Sequence, residues 1–232
     1  MSLEIALAVF EYVVLLLALS LHDATQAWVA ARLGDPTAKM MGRVSLNPVR
    51  HYDLLGTIVF PILFIFQSPL VLGWGRPVPV TTRNFRTGSR GEMLVYASGP
   101  AAHLGAAAIC LVVLLVLKHL VPAVAGSLPV AAELSLRNMG VSTLDLPQVF
   151  PVVLFLYFGI LVNLLMFAFN LVPLPSLDGG KVLRHFLPYN AQNQYDRMGF
   201  YLMILFFFLG FRIILTIMNP ILGLFNSLLF AL

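Results

Sequence analysis

The chain has 232 residues, 59% of them hydrophobic and only 10% charged, with a formal net charge of +4 and a mean hydropathy of +0.91. Soluble domains carry about 25% charged residues, so this composition excludes a water-soluble globular protein. It predicts instead an all-α, polytopic membrane bundle in which Lys and Arg are held at the cytoplasmic surface, with no role in nucleic-acid binding.

Five strongly apolar segments follow in chain order within one integral membrane domain, residues 1–232. The first, Ile5 to Leu21, is read as a retained helix because no basic n-region precedes it and no cleavage pattern follows. It continues to about Leu33, where Gly34 is a plausible left-handed stop and Pro36 prevents continuation. The second, Leu54 to Leu72, is interrupted by Pro61 and Pro69. Arg32, Lys39, Arg43 and Arg50 precede it; Arg76, Arg83, Arg86 and Arg90 follow it. A simple crossing would separate these basic clusters, whereas the positive-inside tendency wants them on one side. The segment is therefore expected to bend back without fully crossing, which needs protein cover for its broken backbone. The stretches 40–46 and 76–81 are expected to pair as a small β element, with Pro77 and Pro79 confining the second to an edge. The third segment runs from Met93 to Leu117, and the fourth from about Val149 to Leu171. The fifth is Gly199 to Ile217, followed after Asn219-Pro220 by an apolar tail, Ile221 to Leu232, too short to span comfortably. Cys110 is the single cysteine. It excludes an internal disulfide and a cysteine metal site, and is read as a small packing residue.

Two polar constellations interrupt this apolar background. His22-Asp23-Ala24-Thr25-Gln26 ends the first apolar run. Positions 22 and 26 share one helix face, and intramembrane His, Asp and Gln are costly enough to mark a cavity or the bundle interior. The competing reading is a hydrogen-bonded polar helix end. The motif looks like an altered His-Glu-x-x-His, in which two histidines bind zinc and the Glu is the general base. The second constellation is Asn170-Leu-Val-Pro-Leu-Pro-Ser-Leu-Asp178-Gly179-Gly180. Its carboxylate can complete a metal site or cap the next helix.

Between them lies Ala97-Ser-Gly99-Pro100-Ala-Ala-His103. This order of motifs resembles the site-2 protease family of intramembrane zinc metalloproteases, peptidase family M50, in its short bacterial branch without a PDZ domain. Trp28 to Pro36, Leu46-Asn47-Pro48, His51 to Thr57 and Gly73 to Val80 add to the resemblance, which covers about residues 12–185 and leaves the C-terminal apolar helices, 199–232, outside it. The resemblance implies zinc-ligand positions at His22, Gln26 and Asp178, a general-base position at Asp23, and substrate binding at Asn170. It also implies cleavage of membrane-embedded peptides and a home in the bacterial cytoplasmic membrane.

The departures fall on the chemistry. A carboxamide at position 26 is a poor zinc ligand, and a whole structural zinc site supplies only about 10–16 kcal/mol. Asp at position 23 keeps the charge but shortens the arm needed to reach a water. His103, where the family usually has Asn, is the one candidate substitute ligand; otherwise it is a buried, hydrogen-bonded histidine. His51 is read as structural, and His119 and His185 as interfacial. Three functions are therefore weighed. The first is an inactive relative serving as a binding or structural subunit for a membrane-protein client or larger complex, with no cofactor required. The second is an active zinc protease with an unusual ligand set. The third, weakest because the motif order needs no such path, is a small transporter or channel.

Overall fold

The computed structural model describes residues 2–143 and 146–232. Eight α-helices follow in order: α1 (Leu3–Leu33), α2 (Thr37–Met40), α3 (Phe60–Phe64), α4 (Ser89–Leu120), α5 (Pro122–Ser135), α6 (Phe150–Leu171), α7 (Asp178–Phe186) and α8 (Tyr189–Ala231). Among the described residues four stretches are long and apolar enough to cross a membrane: α1, α4, α6 and the Phe208–Ala231 part of α8. The protein is an all-α membrane protein, as its composition requires.

The bundle is organised around α6. In its most apolar stretch 78% of residues are buried, against 28% for α4 and 22% for the end of α8, so α4 and α8 present broad faces to lipid. Tyr157, Phe158, Leu161, Leu164 and Leu165 are all but inaccessible. Helix α4 packs closely on α6: a Cβ added at Gly159 would lie 2.6 Å from the Cys110 sulfur. Small residues at such contacts let helix backbones approach in a medium that offers no hydrophobic driving force between helices. Cys110 is thus a packing residue.

Helix α1 ends where expected. Gly34 adopts φ 113, and its N–H returns to the carbonyls of Ala30 and Ala31. Just beyond, Asp35 ties three segments together. It accepts from Thr37 N (3.1 Å), Thr37 Oγ1 (2.5 Å), Thr81 N (2.7 Å) and Asn84 Nδ2 (2.9 Å). Burial opposes ionisation of Asp35, but these donors outweigh it and hold the carboxyl below its ordinary value of 3.8.

The second apolar segment is a hairpin. Asp53 caps a π-helical turn, Leu54–Val59, by accepting from Leu55 N and Gly56 N. This turn runs into α3, where Pro61 occupies the first turn at no hydrogen-bond cost. The chain then reverses and returns extended. The limbs are joined by Trp74 N→Gly56 O (3.1 Å), Arg76 N→His51 O (2.8 Å) and Thr57 Oγ1→Trp74 O (2.9 Å). Residues 51 and 76 therefore lie at the same end, which brings Arg43, Arg50 and Arg76 together around one pocket.

Two expectations are corrected. The small β element at 40–46 and 76–81 does not form; there is no strand among the described residues. Pro77 and Pro79 lack the N–H a ladder needs, and residues 40–42 close α2 in a turn with Gly42 at φ 70. The 76–81 stretch donates to a loop carbonyl and a side chain instead, Arg76 N to His51 O (2.8 Å) and Thr81 N to Asp35 Oδ2 (2.7 Å). The C-terminal tail is not separate either. Helix α8 runs unbroken for 43 residues with Pro220 inside it. The 14-residue α5 was not among the expected segments. At about 1.5 Å rise per residue it is too short to cross.

Arg137, in the left-handed region at φ 62, clasps the far end of the hairpin. Its Nη2 donates to Glu11 Oε2 (2.7 Å) and Ile65 O (3.3 Å), and Nη1 to Glu4 O (3.2 Å). Glu11 is 2% exposed. Breaking a buried pair from one side strands a charge, at about 3–5 kcal/mol. Glu11→Ala is expected to lower the melting temperature in detergent sharply, and the Glu11→Ala/Arg137→Ala double variant to lose less than the sum of the singles; additive losses would mean the pair is not coupled. Asp35 makes a pH prediction. Its depressed pKa contributes stability above the ordinary aspartate value of 3.8 that is lost as pH falls through the folded pKa. Wild-type melting should therefore converge on that of Asp35→Ala in acid and stay above it at neutral pH.

Candidate functional site

Helix α1 carries the adjacent pair His22 and Asp23 and, one turn after His22, Gln26, and all three are buried, at 8%, 6% and 3% exposure. The fourth member arrives from the other end of the sequence. Pro173 and Pro175 close α6, the chain turns, and α7 begins at Asp178. Gly179 and Gly180 make this turn possible: Cβ atoms there would lie 2.5 Å from Leu171 O and 1.7 Å from Leu174 O. The glycines seat the start of α7 directly against the end of α6 and deliver Asp178 onto α1.

Asp178 Oδ2 lies 2.7 Å from His22 Nε2 and also accepts from Gln26 Nε2 at 2.7 Å. Its other oxygen, Oδ1, is 3.8 Å from Lys181 Nζ, one helical turn on, and that ammonium also lies over the Tyr96 ring, 4.4 Å from its centroid. The opposite edge of the same imidazole meets Asp23: His22 Nδ1 is 3.0 Å from Asp23 Oδ1. Asp23 Oδ2 then accepts from Arg43 Nη2 (3.1 Å) and lies 3.4 Å from His51 Nδ1. Arg43 Nη2 also donates to the Arg76 carbonyl, and His51 is oriented through Nε2 by Ser45 O (2.6 Å).

Two glycines leave room for this network. A Cβ at Gly99, on α4, would fall 2.2 Å from His22 Nε2 and 2.6 Å from Gln26 Nε2. One at Gly75, on the returning hairpin limb, would fall 2.6 Å from Asp23 Oδ2. The site is thus walled by α4 on one side and by the hairpin on the other.

His103, one turn beyond Gly99, stacks on His22 with ring centroids 5.0 Å apart and an interplanar angle of 27°. Its Nδ1 is 3.0 Å from Asn163 Oδ1, and Asn163 donates in turn to Gly159 O (2.8 Å). His103 is fully buried, and its Nε2 has no partner. Asn170 is close in sequence but differently engaged: its Nδ2 donates to Met166 O (2.9 Å) of its own helix.

As a zinc site this donor set does not fit. Zinc needs lone pairs converging from about 2 Å. Gln26 presents its N–H₂ group to Asp178, an orientation the hydrogen bond to a carboxylate demands, and an amide N–H₂ is a donor without a lone pair to offer. Only His22 and Asp178 remain of the three family positions. No group of three or more His, Cys, Asp or Glu side chains stands in metal-holding geometry among the described residues.

Sequence reasoning put His22, Asp23, Gln26 and Asp178 on the candidate list, and the fold brings them together, with His103 alongside. It missed Arg43 as the partner of Asp23. One arginine in an interfacial loop looks like its neighbours, and nothing local says which will fold inward. The close approaches at Gly75 and Gly99 carried no separate signal beyond their place in motifs.

Residues 81–211, which include Asn170 and Asp178, match the sequence profile of peptidase family M50. The chain is also 32% identical over 184 residues to "Putative zinc metalloprotease YwhC" of Bacillus subtilis (strain 168), an alignment covering 79% of this chain and 72% of that protein. No solved structure gives a significant match. This chain belongs to peptidase family M50, the membrane-embedded site-2 protease family.

Proposed function

We propose that this M50 membrane protein does not cleave peptide bonds and serves as a binding or structural subunit in a membrane assembly, in the bacterial cytoplasmic membrane that its family branch implies. The observation that carries the proposal is the direction of Asp23. A general base must stand within hydrogen-bond reach of the water it activates. Asp23 instead lies on the Nδ1 edge of His22, while Asp178 lies on the Nε2 edge. The carboxylate at the base position therefore orients the imidazole from behind, and Arg43 holds its second oxygen. On the other edge, Gln26 occupies the carboxylate with a donated N–H. Each change turns a metal-centred arrangement into a self-contained hydrogen-bond network.

A second reading, an active zinc protease, draws on His103. Its buried, unpartnered Nε2 beside His22 is a spare lone pair. Recruiting it requires Gln26 to leave Asp178 and His103 to turn toward the carboxylate.

Two measurements separate the readings. Replacing Gln26 with Leu removes a donor to buried Asp178, which should cost about 1–3 kcal/mol and lower the melting temperature in detergent; an unchanged or raised value argues against the network. Purified wild type should lack stoichiometric zinc and show no chelator-sensitive cleavage of membrane-embedded peptides. Asp23→Glu with Gln26→His should gain zinc before it gains turnover, because positions 22 and 26 still share a face and Asp178 is still delivered to them. Chelator-sensitive proteolysis by wild type, abolished by His22→Ala, would make the protease reading correct.

A further inference from the structure

A pocket of about 310 Å³ opens beside the polar site, lined by Met41, Arg43, Val49, Arg50, Arg76, Pro77 and Pro79. Three guanidiniums meet there with no carboxylate in the lining. Arg50 and Arg76 are exposed, and neither side chain donates a hydrogen bond among the described residues. Arg43 is 5% exposed and uses Nη2 on Asp23 and on the Arg76 carbonyl, yet its Nε has no partner. Like charges gathered without an acidic residue in the lining favour an anion among them.

The surroundings narrow the acceptor's chemistry. Carboxylates and phosphates suit the planar guanidinium fork. The wall is amphiphilic: Met41 and Val49 are 55% and 70% exposed, and Pro77 and Pro79 complete an apolar side. Depth matters as well. The long apolar run of α1 ends at Leu21, and Arg43 reaches Asp23, two residues further on. The pocket thus opens where the apolar run gives way to polar residues, at the level of headgroups, on the side carrying the basic clusters. Basic pockets at this level attract acidic lipid headgroups.

We propose that this pocket binds a phosphate group, supplied by an acidic phospholipid whose glycerol and upper acyl chain lie along Met41, Val49 and the two prolines. Arg50 and Arg76 grip the phosphate, and Arg43 lines its inner edge. Arg43 then joins the lipid to the polar site, because the same guanidinium holds Asp23. The inference depends on neither zinc nor proteolysis.

The test uses the delipidated full chain in nonionic detergent, titrated separately with dioctanoyl-phosphatidylglycerol, dioctanoyl-phosphatidylcholine and inorganic phosphate. Binding is read by native mass spectrometry and by melting temperature. Phosphatidylglycerol should bind and stabilise the wild type, and Arg50→Gln/Arg76→Gln should weaken this by about tenfold or more, in line with charge-assisted hydrogen bonds. The Arg50→Lys/Arg76→Lys variant keeps the charge and should retain part of the affinity. The unliganded Gln variant should melt close to wild type, since neither guanidinium holds the fold; the single variants Arg50→Gln and Arg76→Gln supply the same readout should the double fail to fold. Stabilisation by inorganic phosphate alone, lost in the same variants, would keep the anion site and assign it to a soluble ion. Phosphatidylglycerol binding unaffected by the Gln variants, or no preference over phosphatidylcholine, would overturn the proposal.

Discussion

The carboxylate of Asp178 is the contact on which the polar interior depends. It joins the start of α7 to α1, and it arrives there because Gly179 and Gly180 let the chain double back over the end of α6. Once buried, a carboxylate must be satisfied completely. His22 and Gln26, one turn apart on α1, do this from one side, and Lys181 approaches from the other. Everything else in the site follows from fixing His22. Its far edge needs an acceptor, Asp23 provides it, and Asp23 in turn needs Arg43. The chain of dependence runs from a glycine pair in one half of the sequence to an interfacial loop in the other.

The hairpin after α2 shows the same economy in the backbone. Between residues 51 and 81 the chain enters and leaves at one end, and its two limbs satisfy part of each other's broken backbone. Gly56 passes so close to the Trp74 ring that a Cβ would lie 2.3 Å from it. Gly73 and Gly75 allow equally close passage over Gly56 O and Asp23. Arg137 and Glu11 secure the distal end, Asp35 the proximal one. The hairpin therefore forms a fixed wall of the site, held at both ends by charged groups that the bilayer would otherwise penalise.

How much of this was legible beforehand depends on whether the signal was local. Helix α1 and its Gly34 stop follow from an apolar run, a left-handed glycine and a proline. The shared face of His22 and Gln26 follows from helical spacing alone. The resemblance to M50 added Asp178, which no local pattern could join to α1. What was not legible was long-range or competitive. The expected strand pair failed because Pro77 and Pro79 remove donors while the N–H groups of Arg76 and Thr81 found His51 O and Asp35, residues outside the expected partner strand. Pro220 was expected to separate a tail, yet α8 continues through it; a proline removes one helix hydrogen bond, and a lipid-facing helix has nowhere else to send its remaining backbone groups. Arg43 turned inward because of Asp23, a preference invisible in a loop rich in arginines.

Charge balance ties the substitutions at positions 23 and 26 into one change. A metal-binding site of this kind relies on a divalent cation to offset its carboxylates. Here each carboxylate has a cation built into the chain: Arg43 for Asp23 and Lys181 for Asp178. Glutamine at position 26 contributes a neutral hydrogen-bond donor to Asp178. Aspartate at position 23 is short enough to stay against His22 Nδ1 while its second oxygen reaches Arg43. Taken with Arg43 and Lys181, the two substitutions form a site in which both carboxylates have charged partners supplied by the chain itself.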